Sequence, residues 1–171
     1  MSLFDAPFDP ARDVALVTGA GNGIGRAIAQ ALVGEGVRTV FADLHGDRVT
    51  AAIKAAPQPE LAVPWVGDLA RREACDALLA HAQASAGQVT HFVHSASPPR
   101  READHAMAVE DDIWRRMHAV NLDAGFHLSR ELARRLITAN APGSFLLLTS
   151  LPARRATCRI TRPQRPAWRC W

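Results

Sequence analysis

The run Val14 to Gly25, VALVTGAGNGIG, constrains this chain more than any other stretch, because its residues allow one local architecture. Val14, Ala15, Leu16 and Val17 are apolar without alternation, the pattern of a strand buried on both faces of a parallel sheet. Gly19, Gly21, Gly23 and Gly25 follow, and Ile24, Ala27, Ile28, Ala31 and Leu32 recur at helical spacing. Strand, tight turn and helix is the predicted order. Glycine reaches φ > 0 and has no side chain to hold a ligand away, so backbone N–H groups and the positive end of the helix can approach a pyrophosphate. The implied ligand is a dinucleotide.

The glycine spacing is not the plain G-x-G-x-x-G fingerprint. Thr18 to Gly25, TGAGNGIG, reads T-G-x-x-x-G-I-G and resembles the cofactor loop of the short-chain dehydrogenase/reductase family. The resemblance implies a Rossmann-type, doubly wound parallel sheet in three α/β/α layers. It also implies an NAD(P)-dependent oxidoreductase that moves a hydride between a nicotinamide cofactor and a small alcohol or ketone. Cofactor-binding roles pass to Gly19, Asn22, Gly23, Ile24 and Gly25, with Ile24 touching the cofactor from the loop.

Downstream residues fall in the order this fold requires. Thr39 to Ala42 form a second apolar strand stopped by Asp43, where a carboxylate can accept hydrogen bonds from the adenosine ribose. The same charge would repel a 2′-phosphate, so Asp43 favours NAD over NADP. Asp43 could instead cap the helix starting near Gly46. Leu61 to Asp68 reads as a third strand, and by resemblance Asp68, followed by Leu69, hydrogen-bonds the adenine amino group. Arg71 to Ala86 is an amphipathic helix in which Cys75 is a small buried hydrophobe. His91 to Val93 start a fourth strand that runs into HSAS, His94 to Ser97. The family has Asn-Asn-Ala-Gly there, and only Ala96 matches, carrying a cofactor contact with it. His94 is read as a brace for the sheet rather than a catalyst.

Val109 to Asn140 reads as one long helical region. Asn121 lies inside it, where its poor helix propensity calls for a reason. The resemblance supplies one, an Asn at a helix kink that holds a water of the proton relay. Phe145 to Ser150, after Gly143 and Ser144, make a fifth buried strand, and by resemblance Ser150 matches the family serine that polarises the substrate oxygen. Asn121 and Ser150 are therefore the catalytic candidates. The partner of that pair should be Tyr-x-x-x-Lys about a dozen residues on. The chain contains no tyrosine, and its only lysine is Lys54.

The tail offers an explanation. Thr157 to Trp171, TCRITRPQRPAWRCW, can be back-translated so that reading from one nucleotide earlier yields DLPHYSAAKAGMAML, which restores the missing motif. Third bases are free in that exercise, but most first and second bases are set by the residues. The expectation is a lost nucleotide between the codons of Ser150 and Ala156, with the tyrosine codon straddling Ile160 and Thr161 and the lysine codon straddling Gln164 and Arg165. Residues 1–150 would then be the dinucleotide-binding domain and 151–171 a non-native, disordered basic tail. The later strands of the sheet, the helix after the lost motif and the oligomer interface it carries would be missing.

Charge agrees with this division. Six of the 20 basic residues and none of the 17 acids follow Ser150, so the body is mildly acidic and the basic character belongs to the tail. Three readings follow: a truncated, silent oxidoreductase; a dinucleotide-binding module without catalysis; or a nucleic-acid arm using tail arginines with Trp168 and Trp171. The third is disfavoured, because a shifted GC-rich frame produces arginines without selection for binding. Cys75, Cys158 and Cys170 have no metal-ligand spacing, so no metal is expected. No apolar run is long enough to cross a bilayer and the first twelve residues do not resemble a signal peptide, so a cytoplasmic protein is expected.

Overall fold

The computed structural model describes residue 9, residues 11–99 and residues 108–149. Ser150 and the whole tail, with Cys158, Cys170, Trp168 and Trp171, lie outside the described residues.

Five strands alternate with helices: β1 (Val14–Thr18), α1 (Gly23–Gly34), β2 (Arg38–Asp43), α2 (Gly46–Lys54), β3 (Ala62–Val66), α3 (Arg72–Ser85), β4 (His91–His94), α4 (Asp111–His118), α5 (Gly125–Thr138) and β5 (Ser144–Leu147). The strands form one parallel sheet in the order β3-β2-β1-β4-β5. This is the doubly wound, Rossmann-type α/β fold, with strands 1 to 5 present. The chain winds outward from β1 in both directions, so a crevice opens above the carboxyl ends of β1 and β4, where ligands bind in such sheets.

Uniformly apolar β1 is buried throughout, as a central strand with both faces covered must be. Its alternate residues feed two cores. Leu16, with Val40 and Phe92, packs against Leu78 of α3 and Leu128 and Leu132 of α5. Val17, with Phe41 and Val93, packs against Val33 of α1 and Val49 of α2. The register pairs Thr18 with Ala42 on one side and His94 on the other, so the strand ends that carry candidate residues are level with one another.

Three sequence expectations need correction. The helical stretch Val109 to Asn140 is interrupted: α4 ends at His118, Ala119–Ala124 is a π-helix, and α5 begins at Gly125. Val120, Ala124, Leu128 and Leu132 keep a four-residue spacing through the π turn and are all buried, so periodicity does not reveal it. The third strand runs only from Ala62 to Val66: Leu61 belongs to the turn before it, and Gly67 and Asp68 follow it, with the Gly67 N–H still donating to the Asp43 carbonyl at 3.1 Å. β5 ends at Leu147 and is exposed along its length, since it is an edge strand of the described sheet.

Candidate functional site

The loop from β1 to α1 is held close to the end of β4. Gly19 has φ +70°, and a Cβ placed on it would lie 2.8 Å from the backbone nitrogen of Ala96. Only glycine fits both the conformation and the approach. Gly23 opens α1, and a Cβ there would meet nothing within 4 Å, so the backbone faces open space. Asn22 occupies the N-cap in extended conformation without a side-chain cap, and the first turn carries no acid. The N–H groups at that helix end therefore have neither a capping side chain nor a neutralising carboxylate, as suits an anionic phosphate. Ile24 projects into solvent beside them.

Asp43 ends β2 with both carboxylate oxygens engaged by the loops it joins. Oδ2 accepts the Gly21 N–H at 3.0 Å, and Oδ1 accepts the His45 N–H at 3.0 Å. His45, not Asp43, is the N-cap of α2, so the carboxylate ties the turn before the helix to the glycine loop. Each oxygen keeps acceptor capacity for a ribose hydroxyl.

Asp68 is the second acid of the site. Its Oδ1 accepts the Ala70 N–H at 3.0 Å, and Arg116 of α4 grips both oxygens, at 3.0 and 3.2 Å. Burial works to raise the pKa of Asp68, but the Ala70 and Arg116 hydrogen bonds and the charges of Arg116 and Arg71 outweigh it, and the carboxyl titrates below its ordinary value.

His94 is the brace read from the sequence. Its Nε2 lies 3.0 Å from the Val120 carbonyl and its Nδ1 lies 2.9 Å from Thr18 Oγ1. A carbonyl can only accept, so Nε2 carries the proton and Nδ1 accepts the threonine O–H. One neutral ring thus joins β1, β4 and the π-helix. Burial pushes its pKa below the ordinary histidine value, against the opposing pull of the Val120 bond. Thr18 Oγ1 also accepts the N–H groups of Ser95 and Ala96, at 3.3 and 3.4 Å, which sets the turn after β4.

Gly19, Asn22, Gly23, Ile24, Asp43, Asp68, Leu69 and Ala96 line one groove of about 550 Å³. Gly25 sits beneath it, packed against the carbonyl of Gly19. Asn121 lies in the π-helix and is exposed, while its neighbour Val120 lines the groove. Among the residues that escaped the sequence reading are Arg48 and Arg116 in the lining and Thr18 in support of it. The buried hydroxyl of Thr18 at the end of an apolar strand was a visible signal. Arg48 and Arg116 look like ordinary solvated helix charges until the fold brings them to the groove. Cys75 is buried as expected, and burial with the Asp76 charge pushes its thiol to about 11, which makes it inert.

A family model described as short chain dehydrogenase matches residues 13–159. Galactitol 2-dehydrogenase (L-tagatose-forming) of Cereibacter sphaeroides is 36% identical over 153 residues, covering 88% of this chain and 56% of that protein. The (3R)-3-hydroxyacyl-CoA dehydrogenase of Mus musculus is 30% identical over 146 residues, covering 81% of this chain and 56% of that protein. This chain thus spans a little over half the length of these relatives. Among solved structures, a metagenomic short-chain oxidoreductase in complex with NADP superposes with a TM-score of 0.69 at 28% identity, covering 78% of this chain and 59% of that one. A 4-hydroxyisoleucine dehydrogenase complexed with NADH, at 22% identity and a TM-score of 0.74, covers 84% of this chain and 57% of its own and shares the fold.

Proposed function

Because this chain belongs to the short chain dehydrogenase family, we propose that its groove binds the adenosine and pyrophosphate portion of a nicotinamide dinucleotide, with NAD preferred to NADP. The observation that carries the reading is convergence: an open glycine at an uncapped helix N-terminus, Asp43 and Asp68 face one crevice at the point where the strand order reverses. A bound dinucleotide would supply the hydride chemistry. The chain's own part is to bind and orient it, with the Gly23 end of α1 toward phosphate and Asp43 toward ribose hydroxyls. The relatives are named as dehydrogenases of a polyol and a hydroxyacyl thioester, which supports an alcohol or ketone as the substrate class of the wider protein.

The chain as translated is a cofactor-binding portion that does not turn over. It has no tyrosine, and Lys54 ends α2 away from the groove lining. Loss of a general acid/base removes about 10²–10⁴ in rate, and groups acting as a unit do not leave partial activity behind. The displaced reading frame after Ser150 accounts for both missing residues, and leaves 151–171 as a non-native tail with no role in nucleic-acid binding. No helix among the described residues is long and apolar enough to cross a membrane, which is consistent with a cytoplasmic location.

Titration of the chain with NAD and with NADP, alongside an assay for nicotinamide reduction, tests the proposal. Saturable NAD binding, about tenfold weaker for NADP, without turnover is the expected result. Asp43→Ala should weaken NAD and narrow that difference. Absence of saturable binding by either dinucleotide overturns the reading, and hydride transfer by the chain overturns the account of its tail. Sequencing the gene and transcript across the codons for Ser150 to Trp171 tests the frame; codons incompatible with the shifted reading refute it.

A further inference from the structure

Asp68 and Arg116 lie 48 residues apart in the chain and meet only through the fold. Arg116 Nη1 donates to Asp68 Oδ2 and Nη2 to Oδ1, a two-pronged contact that a planar guanidinium makes and an ammonium cannot. The Ala70 N–H takes a further direction on Oδ1. A carboxylate accepts about four hydrogen bonds. Among the described residues both directions on Oδ1 and one on Oδ2 are filled, which leaves a single acceptor direction on Oδ2 of a side chain that lines the groove. β3 lies beyond β2 in the sheet, so Asp68 sits past Asp43 as one moves away from the glycine loop. In a dinucleotide the base lies beyond the ribose in the same sense.

We propose that Arg116 is a positioning residue for base selection: it fixes the Asp68 carboxylate with one acceptor left on Oδ2, which takes an N–H donor from the base and rejects a carbonyl. The inference rests on the dinucleotide reading and adds to it the residue that sets base specificity. Arg116 also lines the groove, and the part assigned to it here is to hold the carboxylate. Its fork prevents the carboxylate from rotating to offer a different edge. Adenine presents an amino group at the 6-position and hypoxanthine presents an oxygen, so the two form a matched pair of probes.

The test measures dissociation constants of the full 171-residue chain for NAD and for nicotinamide hypoxanthine dinucleotide. The wild type is expected to favour NAD by about tenfold, the value of one hydrogen bond at a half-buried, charged acceptor. Arg116→Met and Arg116→Lys should each lose most of that preference, because lysine keeps the charge and loses the fork. A purely structural role for Arg116 would weaken both dinucleotides equally and leave their ratio unchanged, which overturns the proposal. Full retention of the ratio by Arg116→Lys also overturns it. If Arg116→Met does not fold, as judged by circular dichroism, the lysine variant decides alone. Binding of both dinucleotides by the wild type without preference defeats this inference while sparing the dinucleotide site, and binding of neither defeats both.

Discussion

Gly19 shows how one residue can be set by two independent demands. Its φ of +70° is strained for any side chain, and a Cβ would press on the Ala96 backbone. Gly19→Ala is expected to cost about 1–3 kcal/mol in chemical denaturation and to weaken NAD binding, since the loop must shift away from β4. Asp13, just before β1, makes a different residue-scale prediction. Burial opposes its charge, but the Asp9 N–H, Arg12 and His91 prevail and lower its pKa from 3.8 to about 2. A depressed folded-state value means the unfolded chain binds more protons between the two pKa values. The stability this residue confers is thus fully present above pH 3.8 and is lost as pH falls toward 2. The loss is roughly 2 kcal/mol, and Asp13→Asn should flatten that part of the stability profile measured by denaturant titration.

Among the elements, the π-helix between α4 and α5 does most to shape the site. It brings the Val120 carbonyl to His94, and Gly125 lets the start of α5 close over the ring: a Cβ there would sit 2.9 Å from His94 Cδ2. Gly125→Ala should therefore displace His94 and destabilise the fold by about 1–3 kcal/mol, despite the better helix propensity of alanine. Thermal melting of the variant checks this, and a rise in melting temperature would show that propensity outweighs the close approach. Asn121 lies within this element and is exposed.

At the scale of the molecule, β5 is an edge strand of the described sheet, with Phe145, Leu146 and Leu147 at 37%, 53% and 44% exposure. A parallel edge strand that is apolar on both sides is a template for pairing with another chain. The chain should associate with rising concentration in analytical ultracentrifugation, and Leu146→Lys should shift it toward monomer without loss of secondary structure. A wild-type chain that stays monomeric and melts sharply and reversibly would contradict this.

The sequence by itself determined the elements whose cause is local. Apolar runs specify central strands because both faces are covered, and the glycine loop is legible because its conformational demands fall on consecutive residues. Asp43 could be read for the same reason, at the end of an apolar strand, whereas Asp68 was singled out by the family resemblance. What only the tertiary structure decided depends on pairs far apart in the chain. Arg116 gains its meaning from Asp68, the two hydrogen bonds of His94 come from Thr18 and Val120, and the π turn hides within an unbroken apolar period. Periodicity reports which face of an element is buried, and cannot report which distant polar group will meet it there.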